Sequence, residues 1–376
     1  MKHLKKTMKN GMSWIKKLYA PILTITISSL LGITIVEVTL RIIYSDDQWS
    51  KTKEANIIRN QEFSYDIRQL YESDTSFIKY VRNQYGLRDN CTNLSEVDIL
   101  TIGGSTTDQR YVPLTSSYQV VMQERLKKFN NNFGCVSNAG VDGHSSWGHL
   151  YSFKNWFPLL PELKPKIILL YIGINDADFH RAASPNDSDD IHSDFGLKNF
   201  LKSLNIFQKL LPIYNFFKEL SNPPFAKHIQ KRYTDDDYKV NVINEQTYLL
   251  SEKNAIAFRS RMRTILNEIE LLGAKPLCVT QPHRFTMKKE GVVFGIKDVL
   301  GKGFSGIDYD YSIQKLNEVI FELCGKNTID LYNHEFSNSH FYDGVHTTAQ
   351  GSEEIGNVIA EFIISESGFI ERYSND

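Results

Sequence analysis

From Val97 onward the chain repeats one pattern, a short apolar run followed by a stretch with helical spacing, and this restricts the fold more than any other feature. "VDILTIG" precedes a helix around Tyr118–Phe129, and "CVSNAG" precedes one around Trp147–Phe157. "KIILLYIG" leads, after a long interval, to a helix around Asn254–Leu272 that Gly273 ends. Then come "PLCVTQP", a helix around Ser312–Cys324, "TIDLY" and a last helix from about Ala349 to Ile364. Strand and helix alternating five times predict an α/β domain, an open parallel sheet with helices on both faces. No internal repeat or low-complexity tract competes with that pattern.

The N-terminus follows a different rule. "MKHLKKTMKNGMSWIKK" carries six lysines and no acid, and Leu18–Val36 then runs for 19 residues without a charge. As a helix that run is roughly 28 Å long, close to a bilayer core of ~30 Å. "LTITIS" alternates as a half-buried strand does, yet length and basic flank together favour a membrane span. Glu37 and Arg41, four apart, are spaced to pair near the far interface. Lysines before the span and few after it put the N-terminus in the cytoplasm and everything from about residue 45 beyond the cell membrane. Neither a shorter apolar core nor a small-x-small cleavage site is evident, so an uncleaved single-pass anchor is expected. The resulting division is a basic tail at 1–17, an anchor at 18–43, a polar, tyrosine-rich lead-in at 44–95 and the α/β domain at 96–370, with an insertion at about 177–250.

Lys and Arg number 43 against 44 Asp and Glu, which leaves no basic surplus for a phosphate backbone and sets nucleic acid aside as a partner. The four cysteines, Cys91, Cys135, Cys278 and Cys324, do not fall in CxxC metal spacing and are too few for a disulfide framework. An oxidising compartment allows bridges, and Cys91 with Cys135 is the expected pair, since each precedes a predicted strand by a few residues.

More than seventy residues separate "YIGIND" from the helix at Asn254, too many for an ordinary connection. The acidic run "NDSDDIHSD" in this insertion fails the calcium-loop pattern and reads as a solvated loop. Farther on, Leu197, Phe200, Leu201, Leu204 and Leu211 share a helical face before Pro212 bends the chain. Packing against the domain is the simplest use of that stripe; a lid or a membrane-touching helix is the alternative.

Ligands of parallel sheets bind at the carboxyl ends of the strands. After the first strand stands Ser105, behind Gly103 and Gly104; after the second, Asn138 and Gly140; after the third, Gly173 and Asn175. The fifth is followed by Asp343 and His346 in "FYDGVHTTAQG". Serine becomes a nucleophile when an imidazole takes its proton, and that imidazole needs an acceptor to fix its tautomer. Ser105, His346 and Asp343 are therefore the candidate catalytic residues, and the Ser105 amide, the Gly140 amide and the Asn175 side chain the candidate oxyanion donors. Asn175 and Gly140 taken singly are ordinary turn residues; the case for function is their joint placement. Asp176 and His144 lie near the same edge as candidate substrate contacts.

These blocks resemble the SGNH or GDSL-type hydrolases, whose named residues are Ser, Gly, Asn and His; here they match Ser105, Gly140, Asn175 and His346, with Asp343 as third triad member. The resemblance covers roughly residues 96 to 365. Gly104 stands where an Asp is frequent, but "GGST" looks like the variant of membrane-anchored bacterial members, and "NQYGLRD" resembles the NxxGxR segment that precedes it in them. The resemblance implies a flavodoxin-like three-layer α/β/α fold with a five-stranded sheet, an esterase or acyltransferase acting on cell-surface glycans or lipids, and no metal or organic cofactor.

Rival motifs fail on their own terms. The Gly-rich turn that holds Ser105 has no GK[ST] ending and no GxGxxG, and Thr107 occupies the last glycine of a GxSxG elbow. His334, Glu335 and His340 invite a zinc reading, but the spacing is not HExxH and a surface loop fits better. The expected activity is hydrolysis or transfer of an O-acyl ester, acetyl before other acyl groups, on a surface glycan or its lipid-linked precursor. A lipid esterase or thioesterase and a catalytically silent glycan- or partner-binding domain are the alternatives. Ester turnover is expected to fall as His346 gains a proton near pH 6 to 7.

Overall fold

The five predicted strands form one parallel sheet, β3 (Val97–Gly103), β4 (Cys135–Asn138), β5 (Ile167–Tyr171), β7 (Lys275–Val279) and β10 (Thr328–Ile329), in the spatial order β10-β7-β5-β3-β4. Counted along the chain that order is 2-1-3-4-5, the flavodoxin-like winding. The computed structural model describes residues 21, 23–40, 48–73, 76–179, 233–239, 242–301 and 303–366. The amphipathic stripe from Leu197 to Leu211, Pro212, the acidic run and the lysine-rich tail lie outside the described residues, as does Arg41, the expected partner of Glu37.

Side-chain alternation along the strands sends neighbours to opposite faces. Leu100, Ile102, Ile168, Leu170 and Cys278 pack with Phe153, Phe258, Met262, Ile265, Ile313 and Ile320 of α5 (Ser146–Asn155), α6 (Glu245–Leu271) and α7 (Gly306–Cys324). Ile99, Ile167, Leu169, Leu277, Val279 and Ile329 meet Met122, Leu126, Ile355, Ile359 and Ile363 of α4 (Tyr118–Phe129) and α8 (Ala349–Ser365). The result is three layers, with the sheet buried on both sides.

Two helices begin earlier than their apolar spacing predicts, and the reason is the same in both. The first turns of α6 bury Thr247, Ser251 and Asn254, and those of α7 bury Asp308 and Asp310. Thr247 Oγ1 donates to Asp308 Oδ1 at 2.7 Å, so the two helices start against each other through polar contacts that a hydrophobic period does not register. Ser305 and Asp308 close a capping box at the start of α7.

The lead-in is not irregular. α2 (Ser50–Glu54) is followed by an antiparallel pair, β1 (Gln61–Asp66) and β2 (Phe77–Arg82), in which Ile78, Tyr80 and Arg82 are buried and the alternate residues exposed. A third sheet, in the order β6-β9-β8, joins β6 (Tyr238–Lys239), at the return from the insertion, to the hairpin of β8 (Thr286–Lys289) and β9 (Val292–Ile296). Between the last two, Glu290 and Gly291 both hold positive φ, the backbone of a tight two-residue hairpin turn.

The expected bridge is present: Cys91 pairs with Cys135, fastening the lead-in to β4. A second bridge, Cys278–Cys324, ties β7 to the end of α7. The Cys91–Cys135 crosslink spans 44 residues, and closing a loop of that size in the unfolded chain is worth about 4 kcal/mol in the chain-entropy model. Cys91→Ala with Cys135→Ala will lower stability by about 2–4 kcal/mol, read as a lower thermal midpoint of the purified protein.

α1 (Leu23–Leu40) belongs to a different unit from the one that holds the sheets. Its mean hydropathy is 1.8, and by length and composition it can cross a membrane. Thr34 Oγ1 donates to Leu30 O and Thr39 Oγ1 to Ile35 O, each at 2.8 Å. Threonines in this segment thus satisfy their hydroxyls inside the helix, and its threonines do not require a strand.

Candidate active site

β3 ends at Gly103, and the chain turns at once into α3 (Ser105–Asp108), a single helical turn with Gly104 as its N-cap. Gly104 has φ −85°, so the turn itself does not demand glycine. Close approach does: a Cβ there would come within 2.6 Å of Asn175 Nδ2 and 3.1 Å of the His144 carbonyl. The first amides of a helix have no intrahelical acceptor, so the Ser105 N–H is offered at the rim beside Asn175. Asn175 Nδ2 donates one hydrogen to His144 O at 2.9 Å, leaving its second N–H.

The other half of the site comes from the loop between β10 and α8. Asp343 Oδ1 accepts the amides of Val345 and His346 at 2.9 and 2.7 Å, folding the loop back on its own carboxylate. Tyr342 N donates to His346 O at 3.0 Å, and the Tyr342 ring stacks on the imidazole with centroids 5.6 Å apart and planes 8° from parallel. The ring thus has one orientation. His346 Nδ1 lies 2.7 Å from Asp343 Oδ2 and Nε2 lies 2.8 Å from Ser105 Oγ. Because the ionised carboxylate only accepts, Nδ1 carries the proton, and the Nε2 lone pair accepts from the Ser105 hydroxyl.

Electrostatics agree with that tautomer. Burial alone would raise the Asp343 carboxyl, but the charge and hydrogen bond of His346 and the two loop amides outweigh it, and its pKa lies below the ordinary value. Burial alone would lower the imidazole; the Asp343 charge and hydrogen bond, with weaker fields from Asp142 and Asp108, lift His346 above its ordinary value.

The expected third oxyanion donor requires a correction. The Gly140 amide donates to Asn138 Oδ1 at 2.8 Å and is therefore engaged within its own loop. A Cβ at Gly140 would fall 2.4 Å from Asp108 N, so glycine here lets the second strand-end loop press against α3. Ser105 and Asn175 remain as donors at the rim. Asp176 and His144 also take structural work: Asp176 Oδ2 accepts the Ser146 amide at 3.0 Å and its Oδ1 accepts from Arg261 Nη2, also at 3.0 Å. The His144 ring bonds Ala55 O through Nε2 at 2.7 Å. His334 pairs with Glu354 Oε1 at 2.8 Å, away from any zinc-like arrangement with Glu335 and His340.

Sequence reasoning overlooked the lead-in's share of this region. Tyr80 and Arg82 of β2, together with Arg88, reach Asp108 and the backbone around it. The signal was available in the period-2 spacing of Ile78, Tyr80 and Arg82, a pattern that fits a strand with its alternate side chains buried.

No family model and no curated protein matches the sequence. Similar solved structures include the acetyl xylan esterase AlAXEase (12% identity, covering 70% of this chain and 98% of that one, TM-score 0.36). A catalytic mutant of Axe2, an acetylxylan esterase from Geobacillus stearothermophilus, has 14% identity over 72% of this chain and 94% of its own, with TM-score 0.38. TesA has 13% identity over 70% and 97%, with TM-score 0.36. At these values the likeness is one of chain course, and nothing about activity passes from it.

Proposed function

We propose that this chain is an SGNH-type serine hydrolase, held at a membrane by α1, that cleaves or transfers an O-acyl ester of a cell-surface glycan or its lipid-linked precursor. One observation carries the reading: a single imidazole bridges the Ser105 hydroxyl and the Asp343 carboxylate, groups from opposite ends of the folded domain. His346 takes the Ser105 proton as Oγ attacks the ester carbonyl, and Asp343 stabilises the imidazolium that forms. The Ser105 amide and the second Asn175 N–H stabilise the oxyanion. Each such donor is worth about 2.7–4 kcal/mol of barrier where it has been removed in other enzymes. Collapse of the tetrahedral adduct expels the alcohol, which takes the proton from His346 Nε2, and leaves an acyl-Ser105. Water or a sugar hydroxyl, activated by the same imidazole, then receives the acyl group.

Support for the location comes from the apolar α1 and from two disulfides, which persist in oxidising compartments rather than in a reducing cytosol. The glycan ester as substrate rests on the resemblance of "GGST" and "NQYGLRD" to membrane-anchored members.

The pH dependence tests the mechanism. His346 works as a base only when neutral, and its pKa lies above the ordinary imidazole value. The rate of p-nitrophenyl acetate hydrolysis by the detergent-solubilised full-length protein will fall as pH is lowered through a point above about 6.5. A rate flat from pH 5 to 8 would remove His346 as the base. Turnover of micellar long-chain esters but not of acetylated glycan would move the substrate to lipid.

A further inference from the structure

We propose that Arg82, on the hairpin that precedes the sheet, is a positioning residue for the nucleophile: its guanidinium ties the end of the Ser105 helix to the neighbouring strand-end loop. The inference rests on the serine-hydrolase reading and concerns residues that reading does not use.

Arg82 is 3% exposed, and every donor of its guanidinium group is directed at something that shapes the site. Nη2 pairs with Asp108 Oδ1, the last residue of α3, and donates also to Gly140 O. Nη1 donates to Asn138 O at 3.1 Å and to Gly86 O at 3.0 Å, and Nε donates to Tyr80 Oη at 2.7 Å. Tyr80 Oη in turn donates to Asp108 Oδ1 at 2.6 Å. One planar cation thus spans α3, the Asn138–Gly140 loop and the turn after β2.

Other contacts share part of this anchoring. The Asn138 side chain already anchors its loop to Thr107 O at 2.7 Å, and Arg88 holds the carbonyls of Asp108, Gln109 and Val112. What Arg82 adds is the lateral link between Asp108, three residues from Ser105, and the Gly140 carbonyl. Asp108 stays ionised to receive it: burial alone would raise its pKa, but Arg82 and Arg110 outweigh burial and hold it below the ordinary carboxylate value. The same hairpin reaches the base from the other side. Tyr71, in the connection between β1 and β2, stacks on Tyr342 at 5.9 Å, and Tyr342 stacks on His346. Ile67, Leu70, Tyr71 and Ile78 share a buried cluster with Tyr111 and Tyr342. The lead-in therefore braces the serine through Arg82 and the imidazole through the tyrosine stack.

The test compares full-length wild type, Arg82→Lys and the double variant Arg82→Met with Asp108→Asn. Lysine keeps the charge but cannot span the five acceptors, and the double variant removes both charges of the Arg82–Asp108 pair so that neither is left without the other. Hydrogen exchange over residues 103–110 and 137–141 is read with kcat and KM for p-nitrophenyl acetate, all per mole of folded protein. Both variants are expected to exchange faster in those two segments while β5 and β7 keep their protection. In both, kcat is expected to fall roughly 10- to 100-fold with KM little changed, the size of effect a displacement near 1 Å produces. Unchanged exchange in 103–110 overturns the inference whether or not the protein turns over. Faster exchange with wild-type kcat overturns it as well. A wild type that does not hydrolyse the ester, yet shows the expected exchange differences, overturns the hydrolase reading and with it the catalytic meaning of the link.

Discussion

Replacing Ser105 with alanine will lower kcat/KM for ester hydrolysis by roughly 10⁴- to 10⁶-fold, the loss that follows removal of a triad nucleophile. It will also abolish covalent labelling by a fluorophosphonate probe. The fold should not notice. Ser105 is the first residue of α3, not its cap, and among the described residues its hydroxyl is hydrogen-bonded to His346 Nε2 alone. Alanine fits that position, and Nε2 lies at a partly exposed rim where water can take the place of the hydroxyl. No neighbouring hydroxyl can take over: Thr107 Oγ1 is occupied by the Tyr118 phenol at 3.2 Å, and the Thr106 side chain is buried. Circular dichroism and thermal midpoint should match wild type. Persistent labelling, or a loss below tenfold with the fold intact, would assign the nucleophile elsewhere. The same variant in cells separates the two outcomes of the acyl-enzyme by mass analysis of surface glycan. Acyl groups gained on inactivation mean an esterase; acyl groups lost mean a transferase.

The sheet and the meeting of Ser105, His346 and Asp343 were readable because each rests on local residue chemistry repeated at a fixed place. Apolar runs bounded by glycine give buried parallel strands, and the strand order then brings their ends to one rim. Gly140 misled because a glycine at a strand end serves two purposes that sequence does not separate, offering an amide or allowing close packing; here Asp108 N occupies the space a Cβ would need. The lead-in was opaque for a different reason. Its buried face interleaves Ile67, Leu70, Ile78 and Leu87 with Tyr71, Tyr80, Arg82 and Arg88, residue types that an apolar period scores as surface. Arg88 is wholly enclosed, and burial lowers its pKa to about 10, still well above neutral pH, while its guanidinium donates to the carbonyls of Asp108, Gln109 and Val112. Charges satisfied by backbone acceptors leave no hydrophobic trace. The same holds at the starts of α6 and α7, where buried Thr247 and Asp308 replace apolar neighbours.

The sharpest separation of the triad from a mere hydrogen-bonded cluster comes from Asp343→Asn. Asp343 has two duties on two oxygens: Oδ1 closes the loop through the Val345 and His346 amides, while Oδ2 faces Nδ1. Asparagine can keep its one carbonyl oxygen on the two amides, so the loop persists and its NH₂ comes to face the imidazole. Nδ1 must then accept, the ring proton moves to Nε2, and the base presents a donor to Ser105 where it needs a lone pair. The expected loss in kcat is about 10⁴-fold, as for the corresponding change in other serine triads. The acid limb should move as well. The Asp343 charge and hydrogen bond are what lift His346 against its burial, so without them the imidazole titrates lower and the residual rate will hold to a lower pH than in wild type. The pH–rate profile of the two proteins measures both effects at once. Retention of more than a tenth of the wild-type rate, or an unmoved acid limb beside a folded protein, would mean that the carboxylate holds its loop and does nothing for the chemistry.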